Sequence, residues 1–170
     1  VDTGLRYFAY ERSFRGGVQV ASCDVDNDGI AELITAPGPG RAPTVRVLRV
    51  TAGVVTEVVA FDAFESGFLG GAFVACADVD GDGAAEIVVG AGPGRAPEVK
   101  VFNASTGTVV TRALFAAYEP GFQGGVRVAA GRYAGRPGWL GAFDIATTPG
   151  AGRAAEARFW TVGGSAVAQV

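Results

Sequence analysis

The chain has 170 residues, a net charge of −3, no histidine and two cysteines. That length suits one domain with a substantial core; no uncharged apolar run approaches the ~20 residues that span a bilayer, and so small a net charge does not make a nucleic-acid surface. Without histidine the commonest general base and zinc ligand are missing, and two cysteines without a CxxC spacing give neither a zinc cluster nor a disulfide framework.

In chain order, residues 1–13 come first. The chain begins at Val1 with no charged-then-apolar leader, as expected of a mature secreted product or of a piece excised from a longer chain. "RYFAYERSF" matches "VAFDAFESGF" and "LFAAYEPGF" further on, making Tyr10, Phe64 and Tyr118 equivalent. Residues 1–13 therefore read as the closing strand of a preceding or partner unit.

Residues 14–67 form the first complete unit and 68–121 the second. "FRGGVQVASCDVDNDGIAELITAPGPGRAPTVRVL" aligns without a gap on "FLGGAFVACADVDGDGAAEIVVGAGPGRAPEVKVF", at the 54-residue interval from Phe14 to Phe68. Runs rich in β-branched and aromatic residues, separated by Gly, Pro and Asp clusters, predict strands over 72–76, 86–90, 98–102 and 109–115 of the second unit. Four strands per unit is the pattern of a propeller blade.

Residues 122–170 form a third unit. It opens with "FQGG" and carries "GAGRAA", but "RYAGRPGWLGAFD" replaces the acidic loop, with Arg132, Ala134 and Arg136 at the aspartate positions. The final "AVAQV" reads as the start of a closing strand. The predicted fold is all-β, with three blades of four antiparallel strands, a half-propeller or part of a larger ring. Propellers close with ~4–8 blades, so two copies giving six blades, or a head-to-tail filament, are the expected assemblies.

The chemistry concentrates between the first and second predicted strands. In "DVDNDGIAE" carboxylates occupy loop positions one, three, five and nine, as Asp24, Asp26, Asp28 and Glu32; in "DVDGDGAAE" they are Asp78, Asp80, Asp82 and Glu86. Gly29 and Gly83 at position six permit the sharp turn. Four carboxylates in nine residues repel one another without a cation, and hard oxygens in this number suit Ca2+, with the carbonyls of Ile30 and Ala84 as further ligands. An EF-hand is excluded, because its position-twelve glutamate is Thr35 or Val89 here. Two competing readings are solvated turns capped by aspartates and a catalytic acid pair. The latter lacks an accompanying nucleophile, base or cleft signature, so no enzyme activity is expected.

The two acidic loops, the "FRGG", "FLGG" and "FQGG" motifs and the "APGPG" and "GAGPG" turns resemble the FG-GAP or VCBS-type repeats of integrin α-chain propellers and many bacterial surface proteins. The resemblance covers nearly the whole chain, weakly in the third unit. It implies a calcium-binding propeller with two sites per chain, at the extracellular face or cell surface, serving adhesion or protein recognition. The expected role is a structural or adhesive subunit that self-assembles through strand-completing or blade-to-blade contacts. The alternatives are a carbohydrate-binding, lectin-like propeller module and a fragment of a larger adhesion protein. Protein or glycan ligands are the expected partners, with no nucleic acid and no membrane insertion. The ninth loop position is glutamate where aspartate is common in the family, which lengthens the ligating side chain.

Arg41, Arg95 and Arg153 recur in the loops between predicted strands two and three. They are expected to anchor their units by pairing with acids, in preference to forming an open ring for carboxylates or sulfated sugars. Trp139, Phe143, Phe159 and Trp160 are expected in the core between units rather than as a sugar platform. Cys23 aligns with Ala77 and Cys76 with Ser22, so strand alternation points the two thiols to opposite sheet faces. Free buried thiols are expected.

Overall fold

A computed structural model describes residues 4–105, 107–131, 144–163 and 166–169. Among the described residues twelve strands make three antiparallel four-stranded sheets, and no helix occurs. The first sheet is β1 (Val18–Cys23), β2 (Glu32–Pro37), β3 (Thr44–Thr51) and β4 (Val54–Asp62), in sequential order. The second is β5 (Ala72–Ala77), β6 (Glu86–Ala91), β7 (Glu98–Ser105) and β8 (Thr108–Ala116). The third is β9 (Val126–Gly131), β10 (Asp144–Pro149), β11 (Arg158–Gly163) and β12 (Ala166–Gln169).

The four strands predicted for the second unit are all present and extend one to three residues further. The repeat extends to irregularities: the register of the last hairpin slips between Val47 and Leu48, and at the equivalent step between Val101 and Phe102. The closing segment 166–169 is a genuine fourth strand, paired from Trp160↔Gln169 to Gly163↔Ala166. At the other end, residues 4–13 contain no strand.

Consecutive sheets pack face to face. One apolar core joins Ile34, Ala36, Val45 and Val47 of the first sheet to Ala72, Ile87, Val89 and Phe102 of the second. Another joins Val88, Val99 and Val101 of the second to Val126, Ile145, Trp160 and Val162 of the third. With both faces covered, β6 is buried at every position, which explains why its sequence is a continuous apolar run instead of an alternating one.

This packing corrects the expectation of free thiols: Cys23 and Cys76 form a disulfide, with Cα atoms 6.2 Å apart. The second sheet turns opposite faces to its two neighbours. Ala21 and Cys23 of the first sheet meet Val74 and Cys76 of the second, whereas Ala75 and Ala77, the repeat equivalents of Ala21 and Cys23, face the third. Side chains on opposite faces in repeat register therefore confront each other across the gap between sheets, and the one-position offset of the cysteines is what allows them to bond.

The glycine pairs explain the tight joints between turns. A Cβ on Gly38 or Gly92 would lie 2.0 or 1.9 Å from the carbonyl oxygen of Gly16 or Gly70, so only a bare backbone fits. Above each joint sits an arginine clamp. Arg41 pairs with Glu11 over the ring of Tyr10, Arg95 with Glu65 over Phe64, and Arg153 with Glu119 over Tyr118. Those rings are buried, and each stacks edge-on against the phenylalanine that opens its unit: Phe14, Phe68 or Phe122. The arginines thus pair with acids, as expected, and each fastens its unit to the segment before it. Trp160 is buried in the core and its indole N–H donates to the Thr147 hydroxyl at 2.9 Å, while Phe159 is 40% exposed. Trp139, Phe143, Arg132, Ala134 and Arg136 lie outside the described residues.

Candidate metal centres

Both acidic loops connect the first, edge strand of a sheet to the mostly buried strand beside it, and their geometry starts from the glutamate. Glu32 and Glu86 are the first residues of β2 and β6, each opposite the last residue of the preceding strand (Cys23↔Glu32, Ala77↔Glu86), and both are fully buried. By register Asp144 holds the same position in the third sheet, opposite Gly131. One carboxylate oxygen of each glutamate reaches back across its loop: Glu32 Oε2 accepts from Val25 N–H at 3.2 Å and Glu86 Oε2 from Val79 N–H at 2.9 Å. Val25 and Val79 are themselves buried, so the intervening valine plugs the core between two half-buried aspartates.

The first aspartate organises the turn. Asp24 accepts from the N–H groups of Asp28 (3.1 Å) and Gly29 (2.7 Å); Asp78 accepts from Gly81 (2.6 Å), Asp82 (3.1 Å) and Gly83 (2.9 Å). Gly29 and Gly83 have φ of 86° and 98°, the left-handed conformation anticipated at position six. Burial by itself raises the Asp24 pKa, but hydrogen bonds from the Gly29, Asp28, Asn27 and Asp26 amides outweigh it, so this carboxyl is held below its ordinary range.

In each loop carboxylate oxygens of positions one, three and nine converge within 4.8 Å of one another: Asp24, Asp26 and Glu32 in the first, Asp78, Asp80 and Glu86 in the second. These are three-acid oxygen donor sets of the kind hard divalent cations use. The position-five acids Asp28 and Asp82 stand outside the convergent groups. Each caps the amide two residues on, Ile30 at 2.8 Å and Ala84 at 2.9 Å. Ile30, whose carbonyl was an expected ligand, is half exposed. The loops also touch: Ala85 N–H donates to the Asp24 carbonyl at 2.8 Å, beside the disulfide.

Three participants were not anticipated from the sequence. Arg49 on β3 donates to Glu32 Oε1 from Nε (2.8 Å) and Nη2 (2.6 Å), to Asp26 from Nη2 (3.0 and 3.2 Å), and pairs with Asp28 through Nη1 (2.9 Å). The hydrogen bonds with Glu32 drive the Arg49 pKa further up and lock in its charge. In the second loop the equivalent residue is Asn103, 54 positions on, whose Nδ2 donates to Glu86 Oε1 at 3.0 Å. Arg112 of β8 meets this loop only at Asp80. Burial, followed by the Asp80, Asp82 and Asp78 charges, pushes Glu86 up to about 7 against the opposing Val79 N–H bond.

No protein-family model matches this chain, and no curated protein is detectably similar to it.

Proposed function

We propose that this chain is a calcium-stabilised repeat module whose three sheets are propeller blades, acting outside the cell as a structural or adhesive subunit. The observation that carries the reading is the twin convergence of three acids around a fully buried glutamate, at the seam where two sheets meet. A cation there offsets the mutual repulsion of the acids and ties the first strand of a blade to the second. The role is structural rather than catalytic. The Cys23–Cys76 disulfide supports an oxidising compartment, hence an extracellular or cell-surface location. The loop pattern and spacing support kinship with FG-GAP or VCBS-type repeats.

Self-assembly is the second half of the proposal. The outward face of the first sheet presents Val18, Val20 and Val50 at 43%, 62% and 41% exposure. Their repeat equivalents Ala72, Val74 and Ala104 belong to the core that the second sheet shares with the first. This open face has the character of a blade joint, and the proposed occupant is the third sheet of a second copy, closing a six-bladed ring or extending a filament. A sugar-binding role has less support, because Trp160 is buried and the three loop arginines are paired with acids. Light scattering tests assembly: a mass that is a multiple of 17.2 kDa in calcium, falling towards the single chain after chelation, is the expected result. A single-chain mass in both buffers would refute the assembly.

A further inference from the structure

The two loops are alike in sequence and different in counter-charge. In the first, the guanidinium of Arg49 touches three of the four loop carboxylates, among them the fully buried Glu32, through four contacts between 2.6 and 3.0 Å. Guanidinium is planar, permanently charged and well matched to carboxylate pairs. It therefore supplies, from within the chain, the positive charge that the loop requires. In the second loop that place belongs to the neutral amide of Asn103. Arg112 engages Asp80 alone, and among the described residues no cation pairs with Asp78, Asp82 or the buried Glu86.

An independent observation points the same way. Among the described residues nothing donates to the buried Asn103 Oδ1, while Nδ2 of the same amide is bonded to Glu86. A buried amide oxygen with no donor costs free energy, and amide oxygens are among the donors that calcium accepts. Arg49 offers nothing comparable, since guanidinium has no acceptor.

We propose that Arg49 is a tethered counter-ion that closes the first loop to metal, so that the chain binds a single divalent cation, at Asp78, Asp80 and Glu86 with Asn103. The inference rests on the reading of the acidic loops as cation sites and narrows it from two sites to one. A dication entering the first loop must expel Arg49 from a buried carboxylate and then sit beside the displaced positive charge. Entry into the second loop displaces Arg112 from Asp80 alone, and the buried Glu86 there holds an amide in place of a guanidinium. One repeat position thus decides whether a loop is permanently neutralised or responsive to metal.

The test is a reciprocal exchange, with calcium titrated calorimetrically into the folded, disulfide-bonded chain and bound ions counted by native mass spectrometry. The wild type is expected to bind one ion, Arg49→Asn two, and Asn103→Arg none. Asn103→Arg, which adds a neutralising charge instead of removing one, carries the test if Arg49→Asn does not fold. Two ions of affinity within about tenfold of each other in the wild type, or a count unchanged in both variants, overturns the proposal while leaving the loops as cation sites. No binding by the wild type or by Arg49→Asn overturns the proposal together with the cation reading beneath it.

Discussion

Replacing both cysteines by alanine removes the one disulfide cross-link between the first two sheets among the described residues. Cys23 and Cys76 are 53 positions apart, so the bond closes a loop of about one repeat. The chain-entropy relation gives a loop of this length about 14 cal/mol/K, or about 4 kcal/mol at 25 °C, through restriction of the unfolded chain. At about 2–4 °C per kcal/mol for a chain of this size, Cys23→Ala/Cys76→Ala should melt about 10 °C below the oxidised wild type. Circular dichroism melts of oxidised wild type, reduced wild type and the double variant measure the effect, and the latter two should agree. The disulfide also adjoins the contact between the Ala85 N–H and the Asp24 carbonyl, so calcium affinity should fall in the same variant. A melting point within about 2 °C of wild type, with intact sheets, would refute the argument that this bond constrains the two units.

Gly92→Ala would place a methyl 1.9 Å from the Gly70 carbonyl oxygen, a backbone atom with little freedom to yield, so a loss of about 2 kcal/mol or more is expected by denaturant titration. Gly53→Ala meets nothing within 4 Å and is strained only by its φ of 80°, so about 1 kcal/mol is expected. Val20→Asp should leave the melting temperature of the single chain within about 2 °C, because the residue is 62% exposed, while abolishing the larger species in light scattering. The clamp acids predict an acid limb. Glu65 and Glu119 have pKa values lowered by their own backbone N–H groups and then by Arg95 and Arg153. Their stabilisation is present above the ordinary glutamate range and is lost as pH falls through the depressed folded values; the melting temperature should drop below about pH 4.5, less steeply in Arg95→Gln.

The repeat made most of the fold legible. Two gapless copies placed the strands of the second unit, the left-handed glycines and the converging acids, because each follows from local spacing and turn chemistry. The contacts that sequence did not reveal depend on how sheets face one another and how far long side chains reach. Alternation correctly placed Cys23 and Cys76 on opposite faces; that opposite faces of neighbouring sheets meet is a property of the stacking. Arg49 lies one position beyond the quoted alignment, which ends at Leu48 and Phe102, and its exchange for Asn103 was the available signal. Its direction from β3 into the loop is visible only in the folded chain. The anchoring role of the three loop arginines was legible because each clamp repeats an acid three residues before the unit's opening phenylalanine.

The most direct test of the central claim is thermal unfolding of the wild type with excess calcium and with EDTA. A cation that binds only the folded chain stabilises it by RT ln(1 + [L]/Kd), about 2.7 kcal/mol at a hundredfold excess over Kd, equivalent to about 5–10 °C for a chain of this size. We predict a rise of that order with calcium, abolished in Asp78→Asn/Asp80→Asn. Superimposable melts in calcium and EDTA would contradict the account.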